Sequence, residues 1–178
     1  MDKLSKGLPR KGDWIQVYTG IRFYPLDPRP EEIDIRDIAH ALSMQCRFTG
    51  HTRRFYSVAE HSVLVSYLCD EKDALWGLLH DAAEAYLVDL ARPIKKHSRL
   101  GDEYERIEGM IMDEVACRFG LPPNQPESVA RADKRMLAVE ARDLMAPLQP
   151  GWKKWMDLLT GQEPDLQCWN PTKAEYMF

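Results

Sequence analysis

Residues 74–88 restrict how this chain can fold more than any other stretch. They are aliphatic, aromatic or glycine except at His80, Asp81 and Glu84. A helix that is apolar nearly all round is a buried helix, so we expect these three side chains inside the protein. A buried carboxylate without a partner costs several kcal/mol, comparable with the stability of a whole fold. A metal cation is therefore the expected partner of the His-Asp pair, with a purely structural His–Asp hydrogen bond as the alternative.

Length and charge narrow the class of protein. The 178 residues, 44% hydrophobic and 29% charged, suffice for one globular domain with a single core. The net charge of −4 argues against binding to duplex nucleic acid, although a small anionic substrate remains compatible with locally placed cations. No apolar run approaches the ~20 residues of a membrane span, and the N-terminus lacks the apolar segment of a secretory signal. We expect a cytoplasmic protein that binds no membrane.

The cysteines suggest no metal site of their own. They are scattered along the chain and form no C-x-x-C pair, which argues against a Cys-type zinc site and favours free thiols in a reducing compartment. The four are Cys46, Cys69, Cys117 and Cys168.

The local sequence signals predict an all-α bundle with a small N-terminal β-hairpin. Residues 1–30 are expected to form an N-terminal extension, with a flexible lead to residue 12, a hairpin over 14–24 and a Pro-rich linker. Residues 31–178 are expected to form the helical core. Its predicted helices cover 34–44, 57–69, 72–88, 102–119, 127–145 and 152–159, before an irregular tail.

A second histidine is expected near the start of a helix. Ser57 followed three residues later by Glu60 has the pattern of a capping box, which opens a helix at this point. The first turn of that helix contains His61. An ordinary histidine at a helix terminus is the alternative interpretation.

Asp133 supplies a second candidate carboxylate. It lies between Val129 and Met136 on the apolar stripe of the helix predicted over 127–145. The alternative to a metal ligand is a salt bridge between Asp133 and an arginine of the same helix. Two imidazoles and two carboxylates suit a borderline or hard divalent ion such as Mn, Co, Fe, Zn or Mg. Such an ion lowers the pKa of bound water toward ~7. The predicted ligands are His61, His80, Asp81 and Asp133.

The order His, His-Asp, Asp on successive helices resembles the HD-domain phosphohydrolase superfamily. Within it the chain is most similar to the bacterial 5′-deoxyribonucleotidase branch. The similar segments are AEHS (59–62), HDAAEAYLVDLARPIKK (80–96), EYERIEGMI (103–111) and RAD (131–133). The resemblance spans roughly residues 45–145. It implies an all-α fold, a divalent metal ion and hydrolysis of phosphate from deoxynucleoside 5′-phosphates.

Two departures from that branch keep two other functions open. Only 18 residues separate His61 from His80, fewer than expected for the branch, and the N-terminal hairpin is additional. Phage deoxynucleoside triphosphohydrolases are compact relatives with the same ligands, so a deoxynucleoside triphosphate triphosphohydrolase is the first alternative. A non-catalytic HD domain that senses a nucleotide is the second.

The resemblance also assigns the acid–base chemistry. It implies that Glu84, one helical turn after His80, acts on the nucleophilic water. It implies that Asp89 positions this water or protonates the leaving oxygen. Alternatively, Glu84 could be a supporting partner of His80 or of an arginine, and Asp89 could be a carboxylate that caps a turn.

Substrate binding is expected to depend on cations near the metal. Arg47-Phe48 resembles the nucleotide clamp of the family, in which the guanidinium binds phosphate and the ring stacks on a base. Arg53 lies in the same loop, and Lys95 follows the Pro-x-Lys pattern of the family. Arg53 could instead be a solvated surface charge.

Three tryptophans near the C-terminus predict a packing patch. Aromatic residues at this density also occur at subunit interfaces, and related enzymes are commonly oligomeric, so we expect a homo-oligomer. They are Trp152, Trp155 and Trp169.

Overall fold

The predicted N-terminal hairpin is confirmed, although it is short. The computed structural model of the protein describes residues 9–178, so most of the lead expected over 1–12 lies outside the described residues. Strand β1 (Ile15–Gln16) pairs antiparallel with β2 (Arg22–Phe23). Phe23 is fully buried, and its ring stacks on that of Tyr86 with 3.9 Å between centroids. The hairpin is therefore joined to the helical core.

The described end of the expected lead is fixed to the linker. Arg10 forms an ion pair with Asp27 at 2.8 Å and a second one with Glu32, which lies in a single 3₁₀ turn (Pro30–Glu32). The expectation of a flexible segment is therefore wrong for this residue, because the linker carries the acidic partners that its guanidinium needs.

The predicted mainly helical fold is confirmed for the described residues. No helix there combines the length and hydrophobicity that crossing a membrane requires. The helices are α1 (Ile35–Met44), α2 (Val58–Leu68), α3 (Ala74–Leu79), α4 (Glu84–Leu87), α5 (Arg92–His97), α6 (Arg99–Phe119), α7 (Glu127–Leu144), α8 (Lys153–Met156) and α9 (Pro171–Met177), with further 3₁₀ turns at Arg47–Gly50, Glu71–Asp73 and Pro150–Trp152.

The single helix predicted over 72–88 is interrupted at the His-Asp pair. Between α3 and α4 the backbone tightens into turns, in which Glu84 N–H donates to the Asp81 carbonyl at 3.0 Å. Tightened turns within a helix often mark a functional site. The His80 ring contributes to the irregularity, because its Nδ1–H donates to the Gly77 carbonyl at 2.8 Å.

Gly77 allows α3 to pack closely against α2. A Cβ at this position would lie 2.9 Å from both the Cys69 Sγ and the Ser66 Cα atoms. A larger residue would push α3 away from α2. The backbone that carries His80 is thereby held close to the helix that carries His61.

Two helices were not expected from the sequence. Ala91-Arg92-Pro93 was interpreted as a break, but Pro93 occupies the first turn of α5, where proline is tolerated. The tail after residue 159 was expected to be irregular, which is wrong for residues 171–177. There the Asn170 side chain accepts from Lys173 N–H and caps α9.

The core surrounds α2, whose residues 58–65 are all buried. Phe23, Ile38 and Ile111 belong to one group of buried side chains near this helix, and Met136 to another. Both groups include residues of α2, so this helix runs through the centre of the molecule. The four cysteines are free, as predicted.

Two of the three tryptophans, Trp155 and Trp169, have different surroundings. Trp169 is buried in the core. Trp155 is half-buried, with the Arg92 guanidinium 5.2 Å and the Lys154 ammonium 5.4 Å from its ring centroid. The homo-oligomer stays a prediction.

Candidate metal centre

Three predicted ligands meet where α2 faces the turn after α3. The Nε2 atoms of His61 and His80 are 3.2 Å apart. The Asp81 Oδ2 atom lies 3.2 Å from the His80 Nε2 atom and 3.7 Å from that of His61. His61, His80 and Asp81 thus form a group that could hold a metal ion.

The hydrogen bonds of both imidazole rings leave their Nε2 atoms facing each other. The His80 Nδ1–H donates to the Gly77 carbonyl, which can only accept. The His61 Nδ1–H donates to Glu140 Oε1 at 2.6 Å. In the neutral rings, both Nε2 lone pairs therefore point at one another and at Asp81. Lone pairs that converge in this way are stabilised by a cation, so the residues present fit a metal ion.

Asp133 extends the group toward solvent. Its Oδ1 atom is 3.3 Å from the His61 Nε2 atom and 4.0 Å from that of His80, and its side chain is 40% exposed. Burial opposes ionisation of Asp133, but the hydrogen bond with His61 and the charges of both histidines lower its pKa. The structure therefore brings all four predicted ligands together, with an open side at Asp133.

The charge of the group also favours a divalent cation. Burial opposes ionisation of Asp81 and Glu140, but nearby histidines and Arg47 hold the pKa of each carboxyl below its usual range. Together with Asp133, these two residues give three carboxylates, and Arg47 supplies a single positive charge. If both imidazoles are neutral, two negative charges are therefore left uncompensated. Burial and Arg47 lower the pKa of His61, yet Glu140 and Asp133 raise it overall to about 9. The site thus favours positive charge at the His61 imidazole.

The loop with the predicted nucleotide clamp reaches this group. An antiparallel bridge between Cys46 and Ser57 closes the loop at its base. The Arg47 guanidinium lies 5.5 Å from the Phe48 ring centroid. Phe48 and Thr49 both have a φ of +54°, a left-handed conformation that is unfavourable for bulky residues. Strain of this kind is typical of ligand-binding segments.

The other two predicted substrate-binding residues have protein partners. The exposed Arg53 donates to the Asp143 carbonyl at 3.1 Å, at the end of α7. The Lys95 ammonium pairs with Glu108 at 2.7 Å and lies 5.1 Å from the Tyr104 ring centroid. Both residues therefore have structural contacts that the sequence did not indicate.

The two predicted acid–base residues differ in exposure. Glu84 is buried, and its Oε2 atom accepts no hydrogen bond from the residues that the structure describes. Burial, followed by the charges of Asp81 and Asp89, raises the pKa of Glu84 well above its usual range. Asp89 is exposed and follows Val88, whose φ of +68° is unfavourable for a β-branched residue. These surroundings thus favour the protonated form of the Glu84 carboxyl group.

Comparison with known proteins gives the chain its relatives. No model of a known protein family matches it. It is 44% identical over 131 residues to the uncharacterized protein YfdR of Escherichia coli strain K12. The aligned region covers 74% of this chain and 72% of YfdR. The chain belongs to the YfdR family. It is also 39% identical over 141 residues to the uncharacterized protein RCAP_rcc00048 of Rhodobacter capsulatus, covering 74% of this chain and 71% of that protein.

The site of this YfdR-family chain includes one residue that sequence reasoning did not assign. Glu140 is fully buried and contacts both His61 and Arg47. It lies two helical turns after Asp133 on the same face of α7. The signal that identified Asp133, a carboxylate on an apolar stripe, would also have identified Glu140.

Glu60 has a role that its capping pattern did not predict. Only half of the capping box forms, in which Ser57 Oγ accepts from Glu60 N–H at 3.0 Å. The buried Glu60 carboxylate instead accepts hydrogen bonds from the backbone N–H groups of Gln167 at 2.9 Å, Cys168 at 2.9 Å and Trp169 at 2.6 Å. We call this arrangement the Glu60 clasp. Its donors lie more than a hundred residues away, so no local pattern could reveal it.

Proposed function

We propose that this protein is a divalent-metal-dependent HD-domain phosphohydrolase that removes phosphate from deoxynucleoside 5′-phosphates. The observation that carries the proposal is the convergence of the His61 and His80 Nε2 atoms with Asp81 and Asp133. The order of these residues and the motifs around them, which resemble the deoxyribonucleotidase branch, add the substrate class. Arg47 adds a guanidinium beside the same group.

The proposed division of labour follows from the position of each side chain. His61, His80, Asp81 and Asp133 would hold the ion. When bound, a divalent ion supplies Lewis-acid polarisation of a phosphoryl oxygen and lowers the pKa of water. Glu84 would accept the proton of the attacking water once the charge of a bound cation favours its ionised form, since its Oε2 atom accepts no hydrogen bond from the described residues.

The leaving oxygen and the phosphate require further groups. Attack of water on phosphorus breaks the bond to the sugar oxygen, which must then receive a proton. We assign this proton transfer to Glu84 together with Asp89. Arg47 would offset phosphate charge, and the half-buried Phe48 would stack on the base.

The test is a substrate and metal screen with product identification. Protein stripped of metal is reloaded separately with Mn²⁺, Co²⁺, Zn²⁺, Mg²⁺ or Fe²⁺ and assayed on deoxy- and ribonucleotides with one to three phosphates. Release of inorganic phosphate and a deoxynucleoside from monophosphates supports the proposal. Release of tripolyphosphate from triphosphates would assign the triphosphohydrolase activity instead. Nucleotide binding without turnover under any condition would assign the sensor.

A further inference from the structure

Glu140 connects two parts of the centre through one carboxylate. Its Oε1 atom accepts the His61 Nδ1–H at 2.6 Å, and its Oε2 atom accepts the Arg47 Nε–H at 3.0 Å. Its side chain is fully buried, so water does not compete for either oxygen. A contact of 3.5 Å between an Arg47 guanidinium nitrogen and Asp81 Oδ2 links the arginine back to the ligand group.

Only a carboxylate can serve both partners in this arrangement. Both the His61 Nδ1–H and the Arg47 Nε–H are donors, and a carboxylate offers an acceptor oxygen to each. A glutamine of the same shape offers one oxygen and one NH₂ group, so one donor would face another donor. If the NH₂ group faced His61, the ring would favour the tautomer with its proton on Nε2, which cannot bind a metal.

We infer that Glu140 is a positioning residue that holds His61 in its metal-binding orientation and Arg47 in its phosphate-facing orientation, so that metal and phosphate affinity depend on the same carboxylate. The inference rests on the proposed function and assigns Glu140 no contact with substrate. Groups that orient a metal-binding histidine typically change metal affinity by 10–100-fold when they are removed. Because the same carboxylate also holds Arg47, removing it should weaken phosphate binding as well. A residue that supported His61 alone would not have this second effect.

The experiment compares Glu140→Gln and Glu140→Asp with a matched control. Glu163 has a little-exposed carboxylate outside the centre that also pairs with an arginine, Arg135 of α7 at 3.0 Å, so Glu163→Gln is the control. We expect Glu140→Gln to weaken Zn²⁺ binding by roughly 10–100-fold in calorimetry. Inorganic phosphate binding to the zinc-loaded protein should weaken as well. Glu140→Asp should recover part of both affinities, and Glu163→Gln should change neither.

A spectroscopic readout tests the inference without metal or turnover. In ¹H–¹⁵N spectra of the metal-free protein, we expect a downfield His61 Nδ1 proton, identified by its loss in His61→Asn, and a slowly exchanging Arg47 Nε proton. Glu140→Gln should remove at least one of them, whereas Glu163→Gln should keep both. If both protons and both affinities survive in Glu140→Gln, the inference is overturned. Failure of the nucleotide screen alone would overturn only the proposed function.

Discussion

Glu60 and Glu140 are two fully buried glutamates with opposite surroundings. Three uncharged backbone N–H groups hold Glu60 in the clasp, and burial raises its pKa in spite of them. A guanidinium and an imidazole contact Glu140, and they lower its pKa although burial opposes ionisation. Glu60 therefore anchors backbone, whereas Glu140 belongs to a group of ionisable side chains.

The comparison teaches that depth alone does not distinguish a structural carboxylate from a functional one. The chemical nature of the partners does, because backbone donors fix a chain segment and cationic side chains create a charged site. The contrast is sharp here, because Glu60 precedes His61 directly on α2. Disrupting the centre should abolish metal binding while the fold survives, and disrupting the clasp should lower stability while the folded protein still binds metal.

The largest effect is expected from Asp81→Ala. This change removes a carboxylate oxygen that lies 3.2 Å from the His80 Nε2 atom, so the variant should lose both the proposed metal ion and the proposed hydrolytic activity. Elemental analysis of the purified variant measures the first and the nucleotide assay the second. Stoichiometric metal in the variant would show that the ligand assignment is wrong.

Glu84→Ala should separate catalysis from metal binding. Glu84 is not one of the four proposed ligands, so the ion should remain. Turnover should fall by about 10²–10⁴-fold, the usual effect of removing a general base. Elemental analysis and kcat measured on the same preparation provide the test. An unchanged kcat with intact metal would leave Glu84 with a structural role only.

Arg47→Ala should have an intermediate effect. Charge-assisted arginine–phosphate bonds contribute roughly 1.5–3 kcal/mol, so kcat/KM should fall by about ten- to a hundredfold. The substitution should also lower Tm, because it leaves the buried Glu140 carboxylate without its guanidinium partner. Arg47→Lys should recover only part of kcat/KM, since an ammonium lacks the planar fork. If Arg47→Ala kept the kcat/KM of the parent, the loop that contains Arg47 would not be part of the phosphate-binding site.

Glu60→Gln should have the smallest effect on the chemistry. The amide NH₂ group would face at least one of the three backbone donors, which destabilises the folded protein by about 1–3 kcal/mol. Denaturant unfolding measures this loss. Metal content at a temperature where the variant is folded should equal that of the parent. Loss of metal from the folded variant would contradict the division between the two glutamates.

The sequence was most informative where chemistry conflicted with hydrophobic pattern. His80, Asp81 and Asp133 stand in apolar surroundings, which predicted that they share a partner, and the structure brings them together with His61. The same reasoning extended along α7 would have included Glu140. The cap of α9 was also present in the sequence, as Asn170 followed by Pro171, but the segment was expected to be irregular.

Other features depend on contacts that no local pattern encodes. The donors of the Glu60 clasp are backbone groups, and every residue except proline has one. The ion pair of Lys95 with Glu108 depends on how α5 lies against α6. Such contacts become apparent only when the tertiary arrangement is known.

The clasp also sets an order of events during synthesis. His61 meets Glu140 across 79 residues of chain, and Glu60 meets Trp169 across 109. Contacts between distant segments form late, because a long loop must first close. A ribosome that has made the chain as far as Asp81 has therefore supplied both histidines, but not the Glu140 carboxylate that holds His61. The centre has all its residues once Glu140 has left the exit tunnel, so chains that end before Glu140 should not retain a metal ion, whereas the clasp must wait for residues 167–169.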